Sequence, residues 1–176
     1  MSLSMYQASV PAFVRGLTSL SALLEKAAAQ AQAQGIALDT LIAARLAPDM
    51  YALAAQVQRA SDASKLAVQR LTGVKSPRFE DTENSFPELQ KRIADTIAYL
   101  QSVEPRQFED SDTRTVELNF GEIKPVFQGD VYLLGFALPN FYFHVTTAYD
   151  ILRHNGIKIG KLDYLGSIPQ IAKTSP

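Results

Sequence analysis

Apolar positions recur along this chain at steps of three and four residues, broken by short charged or glycine- and proline-bearing segments. That period is what helices burying one face each require. Met5, Ala8, Ala12, Leu17, Leu20, Leu24 and Ala27 predict a first helix over 3–34, ended by Gly35, with a kink or late start at Pro11. Its AAAQAQAQ end has high helix propensity and little to bury, and is expected to project as the outer end of the helix. A short helical turn within 36–46 follows, capped by Asp39 and stopped by Pro48. Asp49 is the expected cap of a second long helix over 49–72, where Met50, Leu53, Val57, Ala60, Ser64, Ala67 and Leu71 form a bundle seam whose small residues allow close packing.

Residues 74–84 are charged and carry a proline, which reads as a solvated connection. Ser85 with Glu88 three residues on makes a capping box for a third helix. Its stripe is Phe86, Leu89, Ile93, Ile97 and Leu100, its wet face Lys91, Arg92, Asp95 and Gln101, and Glu104-Pro105 ends it. The pattern then changes. Alternation over 113–120 and a return from Gly121 through Ile123 and Val126-Phe127 predict a short hairpin, with Pro125 confining it to an edge. A hairpin alone is marginal, so it is expected to pack over a bundle end.

The fourth helix, 129–156, organises the rest. Gly129-Asp130 offers its cap and Asn155-Gly156 a left-handed stop, with Arg153 and His154 in the last turn, where cations suit the helix dipole. Between these ends the residues are apolar nearly all round, which marks a buried helix. In the tail, IGKLDYLG is expected to lie back on the bundle and SIPQIAKTSP to fray. With no repeat or composition break, 1–176 reads as one all-α domain, a four-helix bundle with a small hairpin between helices three and four.

Composition narrows the function classes. A formal charge of −1 and evenly spread lysine and arginine leave no footprint for nucleic acid or anionic lipid. The absence of cysteine removes thiol nucleophiles, disulfides and thiolate metal sites. The N-terminus lacks the basic region and unbroken apolar core of a signal peptide, and the Val131–Phe143 stretch is too short and too broken to span a bilayer, so a cytoplasmic protein is expected. Phosphate-binding glycine loops, H-E-x-x-H and G-x-S-x-G motifs are absent from the sequence. The acidic run Glu109, Asp110 and Asp112 lacks calcium-loop spacing and reads as a solvated turn.

The chemistry that is present sits in the fourth helix. Asn140 and His144 stand one turn apart on one face of a greasy helix, where buried polar groups need partners. His144 reads either as a core histidine with a hydrogen-bond partner or as a ligand or general base in a core pocket. His154 reads as a helix-end cation. The aromatic series Tyr132, Phe136, Phe141, Tyr142, Phe143 and Tyr149 reads as core packing, with a subset free to form a dimer surface.

The run NFYFHVTTAYDILRHNG followed by GKLDYLG resembles the last helix of the DinB-like superfamily of four-helix bundles. With ASVPAFVRGL near the start and RLAPDM before helix two, most of the chain resembles one branch of it, a domain of unknown function numbered 1993. The resemblance implies a former site for a divalent metal held by three histidines, one on helix two and two a turn apart on helix four. By position the helix-four pair falls on Asn140 and His144, and the helix-two ligand on Gln58, with Gln56 as the less favoured match. Only His144 keeps the ligand identity, and carboxamides are weak neutral donors for Zn²⁺ or Ni²⁺. The expectation is therefore a pocket of Gln58, Asn140, His144 and Gln56 that binds a small molecule without a cofactor, in a homodimer. The alternatives are a metal-dependent thiol transferase, isomerase or hydrolase with Zn²⁺ or Ni²⁺ on His144, and a structural dimer without a ligand.

Overall fold

A computed structural model describes residues 3–166 of the chain. Helix α1 (Met5–Gln34) is followed by the short α2 (Leu38–Ala43), then α3 (Leu53–Thr72) and α4 (Phe86–Ser102). Strands β1 (Thr115–Glu117) and β2 (Val126–Gln128) lead into α5 (Gly129–Tyr132), a π turn (Leu133–Ala137), α6 (Leu138–His154) and a short α7 (Lys161–Leu165). The expected all-α bundle is present. The long helices pack in a ring, α1 on α4, α4 on α3, α3 on α6 and α6 on α1. Consecutive α3 and α4 are thus neighbours joined directly through residues 73–85, whereas α1 to α3 and α4 to α6 each have a longer connection. Those two connections hold α2 and the hairpin.

Leu17, Leu20 and Leu24 of α1, Val57, Ala60 and Leu71 of α3, Leu89 and Leu100 of α4, and Phe141, Ala148 and Ile151 of α6 fill the core with no exposed surface. Each fully buried aliphatic or aromatic side chain contributes on the order of 1.5–3 kcal/mol. The hairpin pairs Thr115 with Gln128, Val116 with Phe127 and Glu117 with Val126. Buried Val116 and Leu118 seat it on the bundle.

The structure corrects several local expectations. Pro11 does not delay α1, which starts at a Ser4–Gln7 capping box and continues through Pro11 to Gln34. The AAAQAQAQ end does not project freely: Ala27 and Ala31 are fully buried, and Gln30 both donates to and accepts from the backbone of Lys158. The three aspartates expected as caps are not caps. Ala37 and Gln128 occupy the N-cap positions of α2 and α5, leaving Asp39 and Asp130 in the first turns. Asp49 lies before Ala52, the N-cap of α3, because residues 47–50 close a turn through the Met50 N–H and the Ala47 carbonyl. Ser85 and Glu88 do cap α4.

The fourth helix is not uniform. Pro139 has no N–H to donate, so the carbonyl one turn before it loses its usual partner. The backbone just upstream widens into the π turn, where the Leu138 N–H reaches the Leu133 carbonyl. At the other end Gly156, at φ +88°, lets the Ile157 N–H reach back to the Leu152 carbonyl and close the helix. Beyond it α7 lies against α1, tied by a Lys26–Asp163 ion pair and by Arg15 donating to the Leu165 carbonyl at 3.0 Å. The segment SIPQIAKTSP lies outside the described residues. No described helix is long and apolar enough to cross a membrane.

The largest departure is Arg92. Assigned from sequence to the wet face of α4, it is 2% exposed. Its guanidinium donates to Asp81 at 2.6 Å, Asp62 at 2.8 Å and Glu83 at 3.0 Å, and lies over the Phe79 ring at 4.7 Å. The 74–84 connection is therefore anchored to α3 and α4 by charge.

Candidate functional site

His144 of α6 faces Gln56 of α3. Its Nδ1 lies 2.8 Å from Gln56 Oε1, while Gln56 Nε2 donates to the Tyr51 carbonyl at 3.2 Å. The second bond fixes which end of the carboxamide meets the imidazole. Nδ1 therefore carries the proton, and the Nε2 lone pair has no partner among the described residues. Burial holds His144 below the ordinary histidine pKa, and the nearby Arg59 cation pushes the same way. The ring is neutral at pH 7.

Asn140, one turn before His144, is half-buried, and its carboxamide has no hydrogen-bond partner among the described residues. Gln58 does not join this group. Two residues beyond Gln56 it points about 200° round α3, and its Nε2 donates to Glu83 at 3.0 Å. The structure thus joins Gln56 to His144, with Asn140 one turn before His144, and places Gln58 with Arg92 and Glu83 instead. His154 and the Glu109, Asp110 and Asp112 run are exposed and take no part.

Asn140 and His144 line a cleft of about 270 Å³. Its apolar wall is Leu118 and Phe120 from the hairpin and Phe136 from the π turn. Phe120 and Phe136 pack at 5.8 Å between ring centres. Its charged wall is Arg59, Asp62 and Arg70 of α3. Arg59 was not singled out from the sequence, although it stands three residues after Gln56 and so on the same helix face. Its guanidinium meets Asp81 at 3.5 Å and Asp62 at 3.7 Å and makes no hydrogen bond among the described residues; its Nε is buried without a partner.

These residues do not fit a divalent metal. The Gln56 carbonyl oxygen already accepts from His144, and a permanent cation, Arg59, stands beside the imidazole. Among the described residues no group of three or more His, Asp or Glu side chains is placed to hold an ion. One imidazole with an unpartnered carboxamide supplies too weak a donor set for Zn²⁺ or Ni²⁺.

Residues 5–165 match the family model described as Domain of unknown function (DUF1993). A crystal structure of a DinB family member protein from Shewanella denitrificans is 38% identical and superposes at a TM-score of 0.90, covering 96% of this chain and 95% of that one. Among curated proteins no match is found. With a family model spanning nearly its whole length and a DinB relative this similar in sequence and shape, the chain belongs to the DinB-like family of the domain of unknown function DUF1993.

Proposed function

We propose that this protein is a non-catalytic DinB-like bundle that binds a small molecule in the cleft between α3, α6 and the hairpin. The observation that supports this is the loosely engaged hydrogen-bonding capacity around one cleft: the Arg59 guanidinium, 3.5 and 3.7 Å from its aspartates, the Asn140 carboxamide and the Nε2 lone pair of His144. Opposite them stands an apolar wall, so the cleft combines a greasy surface with a few orienting polar groups, as ligand sites do. A charged cleft wall beside a neutral imidazole favours binding over metal-dependent chemistry.

A thermal-shift screen against a broad metabolite set tests the reading. A ligand present at a hundred times its Kd adds about 2.7 kcal/mol of stability, and Asn140→Ala with Arg59→Gln abolishes that gain. Stoichiometric zinc or nickel retained by protein purified without chelator, and lost from His144→Ala, would instead establish the metal-dependent reading. We further propose a homodimer. Ile123 and Val126 of the hairpin and Val131 and Leu134 of the fourth helix leave large apolar side chains more than half exposed. Light scattering at micromolar concentration reads the mass directly.

A further inference from the structure

The charge distribution around the cleft narrows the class of ligand; this step rests on the binding reading just given. Asp62 and Asp81, the two carboxylates nearest Arg59, are bound more closely by Arg92, at 2.8 and 2.6 Å against 3.7 and 3.5 Å. Asp62 also pairs with Lys65 at 3.0 Å. Arg92 is buried and hydrogen-bonded, so it wins the competition, and the Arg59 charge is left poorly neutralised. Arg70, on the same cleft wall, donates to the neutral Tyr132 hydroxyl at 2.9 Å rather than to an acid. Among the described residues Arg59, Lys65, Arg70 and Arg92 pair only with Asp62, Asp81 and Glu83, an excess of one cation.

We propose that the cleft takes a small organic monocarboxylate, its anionic head between Arg59 and Asn140 and its apolar body on Phe120 and Phe136. The Arg59 guanidinium, which meets its two aspartates only at 3.5 and 3.7 Å, can turn a planar pair of donors to the two oxygens of a carboxylate. The single excess cation matches a monoanion better than a phosphate dianion. His144 Nε2, an acceptor, suits a hydroxyl or amino donor next to the carboxylate. At about 270 Å³ the cleft has room for a single ring with its carboxylate.

Benzoate, mandelate and the uncharged isostere benzamide, titrated into the full chain and followed by calorimetry and by amide chemical-shift changes, test this. The carboxylates bind with shifts centred on residues 56–63 and 136–144, mandelate more tightly than benzoate, and benzamide at least about tenfold more weakly. Arg59→Gln lowers carboxylate affinity about tenfold or more, Arg59→Lys recovers part of it, and raised salt weakens the wild type but not Arg59→Gln. A melting curve for each variant separates lost binding from lost fold. Equal affinity for benzamide and benzoate, or carboxylate binding untouched in Arg59→Gln, overturns the carboxylate assignment while leaving a small-molecule cleft in place. Shifts confined to other surfaces overturn the site. Failure of these probes and of every compound in the metabolite screen overturns both readings together.

Discussion

The imidazole of His144 and the carboxamide of Gln56 lock one another: Nδ1 donates to Oε1 across 2.8 Å, and the far end of the carboxamide is tied to the Tyr51 carbonyl. Two helices, α3 and α6, are joined by this bond in a place where both side chains are buried. Replacing Gln56 by Leu leaves the Nδ1–H and the Tyr51 carbonyl without partners. The expected cost is about 1–3 kcal/mol, read from urea unfolding midpoints. In the wild type, ¹⁵N NMR should report His144 as the Nδ1–H tautomer.

That neutral imidazole makes stability depend on pH in a definite direction. His144 has a lower pKa folded than unfolded, chiefly through burial and secondly through Arg59. The folded state then resists protonation more than the unfolded chain does. The contribution of His144 is complete above the unfolded value, about 6.5, and is lost as pH falls from there through the folded value. Stability at pH 5 should drop further in the wild type than in His144→Gln. Arg59→Gln should move the NMR titration midpoint of His144 upward, toward the ordinary histidine value.

The helices were legible because their chemistry is local. Leu53, Val57, Ala60, Ser64 and Leu71 repeat at three and four, and Ser85 with Glu88 marks its own helix start. The site was legible only to within a residue or two. Gln56 and Gln58 both match a helix-two ligand position in sequence, yet two residues turn a side chain to the opposite flank of α3, and only the fold shows which glutamine meets His144. Arg92 escaped detection for a different reason. Its type argues for solvent, but its position between Leu89 and Thr96 places it on the buried stripe of α4. Its partners come from α3 and from the 74–84 connection, and no local pattern announces such a meeting.

Arg92 therefore carries a prediction that its sequence position would not suggest. Exchanging it for Met removes the one cation that reaches Asp62, Asp81 and Glu83 together and takes the guanidinium off the Phe79 ring, leaving Lys65 there. Breaking a buried ion pair from one side costs about 3–5 kcal/mol, so Arg92→Met should lower the urea midpoint strongly. Arg92→Lys keeps the charge but cannot reach three acids and the Ser61 hydroxyl with one ammonium. It should fall between the two. Limited proteolysis should cut Arg92→Met near 79–83 before any other described segment, since the guanidinium holds Asp81 and Glu83 and covers the Phe79 ring.

Two glycines of the fourth helix should respond to alanine in opposite ways. A Cβ on Gly129 would stand 1.8 Å from the Ser111 carbonyl oxygen and 3.1 Å from a methyl carbon of Leu71. The first neighbour is backbone, so no rotamer change relieves the clash, and the start of the helix must move away from the segment before the hairpin. Gly129→Ala should cost about 3 kcal/mol or more. Gly135 lies in the π turn with nothing within 4 Å of an added Cβ and no positive φ. There alanine restricts the unfolded chain and strains nothing in the folded one, for a gain of about 0.4–1 kcal/mol. Urea midpoints of the two variants should straddle the wild type. A loss in Gly135→Ala would mean that the π turn itself depends on glycine rather than on the missing N–H of Pro139, a distinction that Pro139→Ala resolves by restoring the donor and letting the helix return to its ordinary pitch.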